Sequence, residues 1–84
     1  MVTNNSAYSV FLEARQRQFE NALRGQANPA LTIAIGTCKR WLREHSDMSF
    51  ADFMKQLDDP VFVYGIRNLG PRRVELIKEY FNKR

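Results

Sequence analysis

The densest chemistry in this chain lies near its C-terminus, in Ile66-Arg67-Asn68-Leu69-Gly70-Pro71-Arg72-Arg73-Val74-Glu75-Leu76-Ile77. Asn68-Leu69-Gly70 has the composition of a tight turn, and it opens into an amphipathic helix with two arginines in its first turn. Gly70 lets the backbone take angles that a side chain resists. Pro71 suits the first helical position, where its missing N–H is not needed. The first N–H groups of such a helix are unpaired and attract anions, phosphate above all. Arg72 and Arg73 oppose the positive pole of the helix dipole, so their natural complement is a negative group from outside. A nucleic-acid backbone is the leading candidate. Arg67, flanking the turn, is a third candidate phosphate contact.

Other chemistries find less support. A single cysteine, Cys38, excludes an internal disulfide and a cysteine-based metal site. It falls on an apolar helix face and reads as a buried small hydrophobe. The one histidine, His45, reads as a helix-end or surface residue. Asp58 and Asp59 are adjacent and so point apart, and Asp59 is better used as a helix cap. No Ser/His/Asp set, phosphate-cradling loop or metal spacing is found. The chain does not read as an enzyme, and it calls for no cofactor.

The elements that must position the basic residues can be read from the apolar spacing. Tyr8, Phe11, Leu12, Phe19, Ala22 and Leu23 recur every three or four residues, which predicts a helix over 6–24 stopped by Gly25. Gln26 to Pro29 reads as a turn. Leu31, Ala34, Cys38, Trp41 and Leu42 mark a second helix over about 30–44, with Trp41 in the core. Ser49, with Asp52 three residues on, caps a short helix through Leu57. Asp59-Pro60 pairs a cap with a first-turn proline, so 60–64 reads as a helical turn ended by Gly65. The last helix runs from Pro71 to about Asn82 on Val74, Ile77 and Phe81, with Lys83 and Arg84 as a frayed tail. The prediction is an all-α compact bundle of about five short helices, with a helix-hairpin-helix-like element at its C-terminal end.

With 84 residues the chain makes one small globular unit, and its 44% hydrophobic and 26% charged content is ordinary. No run approaches the length of a membrane span and the start lacks a signal-peptide core, so the chain reads as cytoplasmic. The net charge is +4. Its basic residues fall mainly in two segments, Lys39-Arg40-Arg43 and 65–84, with acidic Asp47, Asp52, Asp58 and Asp59 between them. If folding joins the two segments they form one positive face.

Residues 31–81 resemble the C-terminal domain of the bacterial RNA polymerase alpha subunit. That family carries a Leu-Thr-Val-Arg-Ser-x-Asn-Cys-Leu-Lys segment, which here stands as Leu31-Thr32-Ile33-Ala34-Ile35-Gly36-Thr37-Cys38-Lys39-Arg40. Its Asn-Leu-Gly-Lys-Lys-Ser-Leu-x-Glu-Ile-Lys segment stands as Asn68-Leu69-Gly70-Pro71-Arg72-Arg73-Val74-Glu75-Leu76-Ile77-Lys78. Ser49-Phe50-Ala51-Asp52-Phe53 occupies the place of the family's short middle helix. The resemblance implies a domain of 31–84 that binds double-stranded DNA and docks on transcription proteins, with 1–30 as an extra helix and turn.

Carried over by position, the DNA contacts fall on Ala34, Thr37, Cys38, Gly70, Arg72 and Arg73. Ala34 replaces the family's groove-entering arginine and reaches neither base nor phosphate. Thr37 replaces an asparagine and offers a hydroxyl in place of its amide, and Arg73 adds a charge where the family has a serine. The expected binding residues are therefore Thr37, Arg67, Asn68, Gly70, Arg72 and Arg73, contacting backbone phosphate weakly and in a salt-sensitive way. The alternative reading is a protein-interaction adaptor that has lost DNA binding and uses helix 6–24 as a further contact or a dimer seam. Oligomeric state is not set by the sequence.

Overall fold

A computed structural model describes residues 6–45 and 47–82. The basic tail residues Lys83 and Arg84 lie outside the described residues. Five helices occur in the order α1 (Ala7–Leu23), α2 (Pro29–Glu44), α3 (Phe50–Gln56), α4 (Pro60–Tyr64) and α5 (Gly70–Asn82). Among the described residues the sole β-type pairing is an isolated bridge between Ser6 and Ser49. The all-α bundle expected from periodicity is the fold observed.

The helix starts have local causes. Ser6 Oγ accepts from Ser9 N at 3.2 Å, Asn28 Oδ1 from Leu31 N at 3.2 Å, and Ser49 Oγ from Asp52 N at 3.1 Å. Asp59 Oδ1 accepts from Val61 N at 2.9 Å. Each satisfies an N–H that a helix start leaves unpaired. Pro29 and Pro60 occupy first-turn positions where no N–H is missed. Pro29 therefore opens α2 rather than belonging to the preceding turn.

One core joins all five helices. Phe11, Ile35, Cys38, Leu42, Phe53 and Ile77 are fully enclosed, with Leu69 and Val74 almost so. The most extensive helix contacts are α1 with α2, α2 with α5, α1 with α3, and α4 with α5. The start of α1 is tied to the loop before α3, where Ala7 N donates to Met48 O at 2.7 Å and Tyr8 N to Asp47 Oδ1 at 3.0 Å.

The buried stripe of α1 differs from the one expected. It consists of Ala7, Phe11, Ala14 and Gln18. Phe19 is 52% exposed and Leu23 is 89% exposed. At about 100° per residue Gln18 falls roughly 20° from Phe11 around the helix, whereas Phe19 falls roughly 80° away. Stripe position, not hydrophobicity, decides which of the two is buried.

Between α4 and α5 the chain turns through Ile66–Leu69. Asn68 has φ 69° and Gly70 has φ 71°, both left-handed. Leu69 between them is 2% exposed. Asparagine is the side chain that best tolerates this conformation, and glycine takes it freely. A Cβ at Gly70 would meet no atom within 4 Å, so alanine there faces a backbone penalty alone. Gly70→Ala is expected to lower the unfolding free energy by about 1–2 kcal/mol, read by urea denaturation with an unchanged m-value.

Candidate nucleic-acid interface

α1 and α2 lie side by side, and the turn before α5 closes over the outer surface of α2. Between them is a concavity of about 690 Å³ lined by Arg15, Thr32, Ile33, Gly36, Thr37, Lys39, Arg40, Arg43, Asn68 and Arg73. It contains five cationic side chains from three helices and no carboxylate. A second concavity of about 380 Å³ shares Thr37, Arg40 and Asn68 with it and adds Arg67, Trp41, Gly65, Ile66, Glu44 and His45. The two basic segments of the sequence do meet, and residues 37–43 face residues 67–73 across this surface.

The expected site residues are not all gathered. Thr37 and Asn68 line both concavities, Arg73 the first and Arg67 the second. Gly70 shapes the turn but lines instead an apolar groove on its other side. Arg72 is exposed in the first turn of α5 and lines none of these surfaces. Adjacent helical residues point about 100° apart, so only one of the two arginines can face α2. Arg73 is that one: its Nη1 donates to the carbonyl of Asn68. It therefore has a structural use, because it bridges the first turn of α5 to the left-handed residue before it.

Sequence reasoning omits Arg15 and leaves Lys39, Arg40 and Arg43 as a cluster without an assigned role. α1 carries no turn motif or terminus that draws attention to Arg15. Its relevance comes from packing. The Nε of Arg15 lies 3.9 Å from the point a Cβ on Gly36 would occupy, so its guanidinium rests against the surface of α2.

The electrostatics are one-sided. Burial, then Arg15, Arg43 and Arg40 in turn, hold the Lys39 ammonium below its usual pKa. The Nζ of Lys39 lies 5.8 Å from the ring centre of Tyr8. The ion pairs Arg17–Glu13 and Lys78–Asp58 involve none of the cations in the concavity. Uncompensated like charges held together repel one another, and a polyanion relieves that repulsion.

His45 is the C-cap of α2, with its ring stacked on Trp41 at 4.9 Å and its Nδ1 3.1 Å from the Trp41 carbonyl. Trp41 is half-buried and also meets Phe62 edge-on at 5.2 Å and Phe53 at 6.2 Å, so its ring is already engaged in packing. Among the described residues no group of three or more His, Cys, Asp or Glu side chains could hold a metal ion. No described helix is long and apolar enough to cross a membrane.

A further concavity of about 790 Å³ is the apolar groove between α4 and α5, with Val63, Ile66, Leu69 and Val74 among its lining residues. Tyr64 on its edge is 93% exposed.

No family model matches the chain, and neither a curated protein nor a solved structure matches it.

Proposed function

We propose that this protein is a small non-enzymatic module that binds double-stranded DNA through backbone phosphates, in a transcription-related role. The reading rests on one observation above the rest: Arg15, Lys39, Arg40, Arg43 and Arg73 converge on a single concavity with no carboxylate in its lining. A phosphate backbone offers a row of negative charges to match, and the Thr37 hydroxyl and Asn68 side chain add neutral donors at the centre. The sequence likeness of 31–81 to the polymerase alpha C-terminal domain supports the choice of DNA and of transcription. The proposed contact surface differs from the hairpin-centred one, because it extends along α2 and does not require Arg72.

Binding of this kind releases counterions. Three or four phosphate contacts give a log–log salt slope on the order of −3 to −4, with little dependence on sequence. The test is fluorescence anisotropy with a short duplex across a salt series. Arg40→Ala combined with Arg43→Ala is expected to flatten the slope by about two and weaken all duplexes alike, while Arg72→Ala changes neither. An Arg72→Ala effect as large as that of the α2 pair would return the site to the start of α5.

A second reading, a protein-docking adaptor, is favoured by the apolar groove at α4 and α5 and by the exposure of Tyr64. Absence of DNA binding at low salt would leave this reading standing.

A further inference from the structure

We infer that α1 is part of the binding face, and that Arg15 contacts phosphate from a position fixed by Phe19. The inference rests on the DNA-binding reading above and assigns that site a residue outside the segment carrying the family likeness.

Three independent observations converge on Arg15. The first is place: Arg15 lines the same concavity as Arg40, Arg43 and Arg73, on the wall contributed by α1. α1 packs against α2 and supplies Phe11 and Ala14 to the common core, so the wall is fixed relative to the other two helices.

The second is orientation. The guanidinium carbon of Arg15 stands 4.8 Å over the ring centre of Phe19, one helical turn along. Phe19 lies off the buried stripe and half in solvent, where a large apolar side chain contributes little to the core. Beneath Arg15 its ring acts as a shelf. A guanidinium stacked on an aromatic face keeps its in-plane N–H donors free, which is the geometry that forked recognition of phosphate uses. Gly36 on the facing helix lies close by, since a Cβ there would stand 3.9 Å from the Arg15 Nε, an ordinary contact distance.

The third is charge. Glu13, the nearest acid in sequence, is paired with Arg17 at 3.6 Å. Arg15 is first among the charged neighbours that depress the Lys39 ammonium, so its field reaches the middle of the concavity. An arginine serving solubility alone gains nothing by facing a lysine and three other arginines across a concave surface. One serving a polyanion gains a second wall for it.

Anisotropy with a short duplex between about 50 and 200 mM salt separates the roles. Arg15→Ala removes one phosphate contact: the slope falls by about 0.9, and affinity near ~0.1 M salt falls about eightfold. Arg15→Lys keeps the charge and so keeps the slope. Phe19→Leu keeps the charge but removes the shelf, which lowers affinity about two- to fivefold at unchanged slope. Arg17→Ala, on the same helix but outside the concavity, leaves both as they are. Circular-dichroism melts accompany each variant, and the conservative Arg15→Lys and Phe19→Leu changes keep the test intact if Arg15→Ala loses structure. Arg15→Ala matching Arg17→Ala while the α2 arginine pair still weakens binding would overturn the role of Arg15 and leave the DNA reading in place. Unchanged affinity in Phe19→Leu would overturn the shelf. No binding by the unaltered protein at the lowest salt would overturn both readings.

Discussion

Replacing Phe11 by alanine is expected to cost about 3–5 kcal/mol and to lower the melting temperature by about 15–30 °C. Phe11 is fully enclosed. It meets Phe53 at 5.3 Å and Phe81 at 5.3 Å, both edge-on, and Phe50 at 6.1 Å. Three rings from α3 and α5 thus converge on one ring from α1. Truncation removes the transfer free energy of the ring and leaves a cavity that three aromatic neighbours cannot easily close. A domain of this size is stabilised by only ~4–13 kcal/mol, so the loss is a large fraction of the whole. Phe19→Ala, two turns further along the same helix, is expected to cost under about 1 kcal/mol, because that ring is already half in water. The measurement is a pair of calorimetric or circular-dichroism melts. Were α1 an appendage to a self-sufficient domain of 31–84, Phe11→Ala would leave the main transition where it was and remove at most a small early phase. A single transition shifted as a unit means that the core is incomplete without α1.

The contrast between Phe11 and Phe19 marks where sequence reasoning succeeds and where it stops. Caps and turns are local, and they are legible. Ser49 and Asp59 cap the helices their types predict. Asn68 takes the left-handed angle that asparagine tolerates, and Leu69 fills the core between two left-handed residues. Such features are set by atoms within three or four residues, so composition carries them. The buried stripe of α1 depends on what lies across from it, and a set of apolar residues at helical spacing admits more than one stripe. Phe19 and Leu23 satisfy the spacing, yet Gln18 is the residue that is buried.

The site divides in the same way. The turn and its basic flank announce themselves through Gly70, Pro71 and the two arginines. Which arginine faces α2 depends on the register of α5 against the bundle, and Arg73 rather than Arg72 proves to be the inward one. Arg15 carries no local signal at all. It enters the site because α1 packs along α2 at Gly36, a relation between positions 21 residues apart in sequence. Long-range gathering of unpaired charge is therefore the part of this site that only the folded chain reveals.

Cys38 gives the strongest pH-dependence expected of the fold. Burial pushes its thiol from the ordinary value of 9.0 up to about 12. Below about pH 9 the thiol is protonated in both the folded and the unfolded chain, and it contributes no difference between them. Between pH 9 and 12 the unfolded chain releases that proton and the folded chain retains it, so each unit of pH lowers stability by about 1.4 kcal/mol. Over the whole interval the loss approaches ~4 kcal/mol, comparable to that of Phe11→Ala. Lys39 works in the opposite direction, because its depressed ammonium deprotonates earlier in the fold than in the unfolded chain. A comparison isolates the thiol. Urea midpoints of the natural chain and of Cys38→Ala are measured from pH 7 to 12. Cys38→Ala is expected to be less stable at neutral pH through lost packing, but to show a flatter decline above pH 9. The gap between the two curves should therefore narrow as pH rises. A gap that stays constant would mean that the thiol ionises equally in both states, which would contradict its full burial in the core. The same enclosure predicts that native Cys38 resists alkylation at pH 8 while the urea-unfolded chain reacts, since the thiolate is the attacking species and the fold withholds it.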